Sequence, residues 1–105
     1  MANQSHTIIL EQQTLNKNSR AWRDYQSVSQ AMNGVTLQFE RFLKDMNPTV
    51  PHIQYNLKDL EIYIDQMPDL SALVFDPKTE TYIPCNKAWI KEQVGIQLRR
   101  QAGKR

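Results

Sequence analysis

The sequence is poor in the residues that many small catalytic or metal-binding proteins depend on. It holds one cysteine, Cys85, and three glycines in 105 residues. A single cysteine excludes an internal disulfide and fits a reducing compartment. Three scattered glycines exclude a Gly-rich phosphate loop, and neither HExxH nor CxxC spacing occurs. No apolar run approaches the roughly 20 residues that span a bilayer, and no basic region leads into a long apolar stretch at the N-terminus. The chain therefore reads as soluble, without a membrane partner, and not exported. A strong charge of one sign is missing too. Thirteen Lys plus Arg against eleven Asp plus Glu leave a net charge of +2, too little for a general binder of nucleic acid or membrane surface. Basic residues concentrate only at the end, in Arg99, Arg100, Lys104 and Arg105.

What is present suits one domain over residues 1–105, with an ordered core at 5–101 and flexible tails at 1–4 and 102–105. An apolar share of 40% fills a core of ordinary size. So short a chain buries only roughly 60 to 65% of its unfolded surface by folding, so a partner surface adds appreciably to stability.

The run from His6 to Gln12 is β-branched and apolar and predicts a strand. A polar loop follows at Gln13 to Ser19, with Asn18 or Ser19 placed to cap the next element. From Tyr25 the apolar positions Val28, Met32, Val35, Phe39, Phe42 and Met46 recur every three or four residues, predicting a helix that Asn47-Pro48 ends. Gly34 lies inside this helix at a cost of about 1 kcal/mol relative to Ala, which a close packing approach would explain. His52 to Tyr55 reads as a short edge strand after Pro51. Asn56 and Asp59 cap a second helix bearing Leu57, Leu60, Ile64 and Met67, stopped by Pro68. Asp69 to Phe75 and Thr81 to Pro84 flank Asp76-Pro77-Lys78-Thr79 as a hairpin. Asn86 caps a third helix with Trp89, Ile90, Val94 and Leu98, and Arg99 and Arg100 near its end match the dipole.

The order β-α-β-α-β-β-α predicts an α+β fold, a small mostly antiparallel sheet of three or four strands with three helices on one face. The strands, however, are apolar on both sides. Ile8 and Leu10 oppose Ile9, and Leu73 and Phe75 oppose Leu70, Ala72 and Val74, so the alternation of a half-solvated sheet is missing. A second copy is the simplest cover for the far face, since twofold dimers are the commonest homo-oligomers. The expected homodimer interface comprises Ile8, Leu10, Leu73, Phe75 and Tyr82. The plainer alternative is that loops or the N-terminal tail fold over that face.

Chemistry has few candidates, and the expectation is no enzyme, no cofactor and no metal. Cys85 precedes a predicted helix start, where the dipole can lower a thiol pKa, yet no base is identified beside it and a packing role suffices. His6 and His52 supply two imidazoles where a closed structural zinc site wants four ligands. Trp22 and Trp89 read as core or groove-lining aromatics. Trp89, with Arg99 and Arg100, is the candidate contact for a bound partner segment. A rival reading is direct RNA binding, with Tyr82 and Phe75 as stacking platforms and the Arg99 to Arg105 cluster on phosphate. Against it, the RNP signature is absent, and burial between subunits would hide those rings.

The segments SHTI at Ser5 to Ile8, MNPTVPHIQY at Met46 to Tyr55, YIDQ, DLSALV, TYIPCNKAWIKE at Thr81 to Glu92 and LRRQAGK at Leu98 to Lys104 closely resemble the enhancer of rudimentary family. The resemblance covers nearly the whole chain and includes no short catalytic motif. It implies small nuclear homodimers joined by sheet faces, first strand included, that act as adaptors. Members hold segments of RNA-processing and mRNA-decay proteins and influence gene expression and the cell cycle. It also implies an alternative role as a regulator linked to pyrimidine metabolism, which no residue here supports. The chain departs from animal members at proposed acidophilic-kinase sites, where Ala21 stands at one and Ser27 is followed by Gln30 at the other. Ala2, Asn3, Gln4 and the loop around Leu15 also depart from that pattern.

Overall fold

The computed structural model describes residues 5–103. The chain runs through β1 (Thr7–Gln12), β2 (Arg20–Tyr25), α1 (Val28–Met46), α2 (Leu57–Gln66), β3 (Asp69–Asp76), β4 (Thr81–Cys85) and α3 (Lys87–Gly103). The strands form one antiparallel sheet in the order β2-β1-β3-β4. The α+β expectation, with three helices on one sheet face, therefore holds. The expected tails at 1–4 and 104–105 lie outside the described residues, and positions 102 and 103 are the last of α3.

The fourth strand is not the expected one. Arg20–Tyr25 pairs with β1 along its length, from Thr7 opposite Tyr25 to Gln12 opposite Arg20. Tyr25 therefore ends a strand instead of opening the helix. Asn18 and Ser19 belong to a 3-10 turn whose cap is Asn16, its side chain accepting from the Asn18 N–H at 2.9 Å. The cap of α1 is Ser27, which accepts from the Gln30 N–H at 3.1 Å. With both sheet edges held by β2 and β4, the segment at 52–55 has no strand to join and runs as irregular chain before α2. The order is thus β-β-α-α-β-β-α.

Other local signals were sufficient. Asn56 and Asp59 form a reciprocal capping box at α2, with bonds of 3.0 and 3.1 Å. Asn86 accepts from the Trp89 N–H at 2.9 Å and starts α3. Lys87 Nζ donates to the Met67 carbonyl at the end of α2, where a cation favours the dipole. Gly34 faces the Tyr25 ring so closely that an added Cβ would lie 2.6 Å from Cζ. The glycine therefore admits the last side chain of β2 against α1.

The core lies between the helices and one side of the sheet. Ile9, Leu70, Ala72 and Val74 point up from the strands into Val28, Met32, Val35 and Phe39 of α1, Leu60 and Ile64 of α2, and Ile90 and Val94 of α3. The molecule measures 48 × 40 × 20 Å. A thickness of 20 Å is one sheet plus one helical layer, with sheet and helices about 10 Å apart.

Candidate interface on the open sheet face

The side of the sheet opposite the helices follows from strand parity. Register puts Leu10 between Trp22 and Ser71, Ile8 between Asp24 and Leu73, Leu73 beside Pro84, and Phe75 beside Tyr82. Ile8, Leu10, Leu73, Phe75 and Tyr82, the five residues expected at an interface, thus share one face. Ile8, Leu73 and Phe75 are half-buried by their neighbours in the sheet, and Leu10 and Tyr82 keep 36% and 40% of their surface exposed. The Phe75 and Tyr82 rings meet edge to face at 5.3 Å.

Trp22 is the residue that sequence reasoning misplaced. It is neither core nor groove-lining but stands on this face beside Leu10, 66% exposed. The alternation of Ala21, Trp22 and Arg23 was its only signal, and a short, polar edge strand ahead of a strong helical stripe hides that signal.

A polar group crosses the same face. His6 precedes β1, and its Nδ1 lies 2.7 Å from the Tyr82 hydroxyl while its Nε2 lies 3.1 Å from Asp24 Oδ2. A carboxylate only accepts, so Nε2 carries the hydrogen. The Nδ1 of a neutral ring then accepts from the Tyr82 O–H. β2 and β4, which never pair, are thereby tied through β1 at one end of the sheet.

The helix side contains a buried charge that composition did not suggest. Glu11 is buried, and its Oε2 accepts from Gln13 and Gln38 at 2.8 Å each, while Arg23 Nη1 reaches Oε1 at 3.4 Å. Two amides and a guanidinium satisfy the carboxylate, which fixes the register of β1 against β2 and α1.

The surroundings of Cys85 do not activate its thiol. Burial pushes its thiol up, away from the thiolate, and its Sγ–H donates to the Ile83 carbonyl at 3.6 Å. It lines an apolar hollow with Val74, Ile83 and Trp89, the last of them half-buried. Arg99 borders a different hollow with Ile53, Leu57 and Leu98, and Arg100 a third with Met32 and Ile96. Ten residues of helix, about 15 Å, separate Trp89 from Arg99, so the candidate partner residues are not brought together as one site. Tyr55 and Tyr63 flank Phe39 between α1 and α2. Burial raises both phenols, and a hydrogen bond of 2.5 Å to Glu40 raises Tyr55 further. Among the described residues no cluster of His, Cys, Asp and Glu is arranged for a metal ion, and no helix is long and apolar enough to cross a membrane.

Comparison with known proteins gives a consistent result. The sequence profile described as Enhancer of rudimentary matches residues 3–104. An Enhancer of rudimentary homolog of Echinococcus multilocularis is 49% identical over 100 residues, covering 94% of this chain and 98% of that protein. The homolog of Arabidopsis thaliana is 42% identical over 97 residues, covering 92% and 89%. The protein enhancer of rudimentary of Drosophila virilis is 43% identical over 98 residues, covering 93% and 94%.

Proposed function

The chain belongs to the enhancer of rudimentary family, and from that premise we propose that it is a non-enzymatic homodimeric adaptor of the nucleus. Two copies join by their open sheet faces. The dimer holds short segments of nuclear RNA-processing and mRNA-decay proteins and so influences gene expression and the cell cycle.

The observation that carries the dimer is the composition of the uncovered face. Ile8, Leu10, Trp22, Leu73, Phe75 and Tyr82 form one apolar surface on a molecule only two layers thick. A surface of this kind is covered favourably by a copy of itself, and each large apolar side chain taken fully from water contributes about 1.5–3 kcal/mol. The adaptor role follows from the family resemblance together with the hollows beside Trp89 and Arg99, which a dimer of this geometry leaves on its outer, helical side.

The test is the solution mass of the wild type beside Ile8→Arg and Leu10→Arg. The wild type is expected at twice the chain mass and both variants at the chain mass, because an unpaired buried guanidinium costs several kcal/mol. A monomeric wild type sinks the dimer. For the adaptor role, immobilised wild type is expected to retain RNA-processing proteins from nuclease-treated nuclear extract; their loss on nuclease treatment, with tight binding of purified RNA, would replace it.

Direct RNA binding is the second reading, favoured by the outward rings of Trp22, Phe75 and Tyr82. It competes for the same face, and it predicts a complex that weakens steeply with salt. Asp24 beside that aromatic surface opposes phosphate.

A further inference from the structure

Resting on the dimer proposed above, we infer that His6, Asp24 and Tyr82 make self-association through the open face proton-linked, so that the dimer takes up protons and tightens as the pH falls. The three side chains form a charged and polar group at one end of the face; its middle is largely apolar, and Gln12, Arg20 and Asp69 lie at the opposite end. They come from three chain segments, and their bonds of 2.7 and 3.1 Å run across the sheet.

With a neutral imidazole, both ring nitrogens are satisfied, but the group carries the full negative charge of Asp24. A second proton, taken from solvent onto Nδ1, makes the group neutral overall. The ring then donates from both nitrogens, the Tyr82 oxygen accepts, and the Tyr82 O–H is released to donate elsewhere. Covering the face with a second copy removes water from this group. Removing water from a net negative charge costs more than removing it from a hydrogen-bonded ion pair. Twofold symmetry also places two such groups in one interface, so two like charges are neutralised together. Both effects have one sign: the covered state binds protons more tightly than the open state.

The groups facing His6 are few. β2 contributes Asp24 and β4 contributes Tyr82, while β3 presents Leu73 and Phe75, which carry no charge. The helices lie on the other side of the sheet. Arg20, the other charged residue of β2 on this face, sits at the far end of that strand with its Nε on Gln12. The experiment spans pH 8.0 to 5.5 because imidazole side chains in general change charge between pH 5 and 8.

The experiment measures the dimer dissociation constant of the full chain by sedimentation at pH 8.0, 7.0 and 5.5 and constant ionic strength. Where dissociation is too weak to measure, the exchange rate of labelled subunits is read instead. The wild type is expected to tighten about tenfold or more from pH 8.0 to 5.5. His6→Gln is expected to lose that slope, Asp24→Asn to bind at pH 8.0 about as tightly as the wild type at pH 5.5, and His52→Gln to keep the wild-type slope. Circular dichroism establishes that each variant is folded, and either of the first two suffices. A dimer whose affinity is flat with pH, weakens on acidification, or keeps its slope in His6→Gln overturns the inference and leaves the dimer standing. A monomer at every pH overturns both.

Discussion

The two faces of the sheet are built from the same strands with similar apolar side chains, yet they meet different surroundings. Ile9, Leu70, Ala72 and Val74 are buried under the helices, whereas Leu10, Trp22 and Tyr82, one residue away in parity, remain exposed. Apolar composition does not separate these sets. What separates them is that this chain contains helices for one side only. The inner face is completed within the chain, and the outer face is left uncovered among the described residues, which is what motivates the proposed dimer.

The largest expected effect tests that division directly. Ile64 is fully buried, and Ile64→Ala is expected to cost about 2–5 kcal/mol of folding stability whatever the protein concentration. Leu10→Ala, at concentrations low enough to keep the chain monomeric, is expected to cost less than about 1.5 kcal/mol. Its cost should grow with protein concentration if the outer face is covered by a second copy, because association then adds to apparent stability. Urea unfolding of both variants over a hundredfold dilution reads the difference. Equal, concentration-independent losses would mean that the two faces are not energetically distinct.

Gly34 sharpens the comparison from the edge of the core, where α1 meets β2. In an ordinary helix Gly→Ala gains about 1 kcal/mol. Here the new methyl would collide with the Tyr25 ring, and overpacking costs about 1–3 kcal/mol. A net loss of about 1 kcal/mol is expected for Gly34→Ala, recovered in the double variant Gly34→Ala, Tyr25→Leu. A stability gain in the single variant would show that Tyr25 moves aside freely.

Those two residues also show how far sequence could go. The helical stripe from Val28 to Phe39, the capping box at Asn56 and Asp59, and the two-sided pattern of β1 and β3 are local or periodic, so they were legible. The five outer-face residues followed from parity within those strands. β2 was not legible, because its strand character comes from pairing with β1, and Arg20–Tyr25 carries no β-branched residue and no buried one. Missing β2 removed Trp22 from the face and left 52–55 to be read as a strand. The His6 contacts were likewise invisible, since 76 positions separate His6 from Tyr82.

The smallest effect concerns the hairpin that contributes to both faces. Glu80 ends the turn between β3 and β4 with φ at 56°, the only positive value at a non-glycine residue among those described. That conformation costs a side-chain-bearing residue about 1–2 kcal/mol. Glycine removes the cost but adds freedom to the unfolded chain, worth about 0.4–1 kcal/mol. The two terms leave Glu80→Gly about 0.5–1 kcal/mol more stable, a rise of a few degrees in Tm for a chain of this size. Because the turn lies beyond the last strand pair, Asp76 opposite Thr81, the dissociation constant of the proposed dimer should not change once the stability gain is allowed for. A fall in Tm would mean that the Glu80 side chain makes a contact stronger than the backbone strain it imposes. A changed dissociation constant would instead place the turn inside the interface, and the outer face would then extend past Tyr82 to the end of the hairpin.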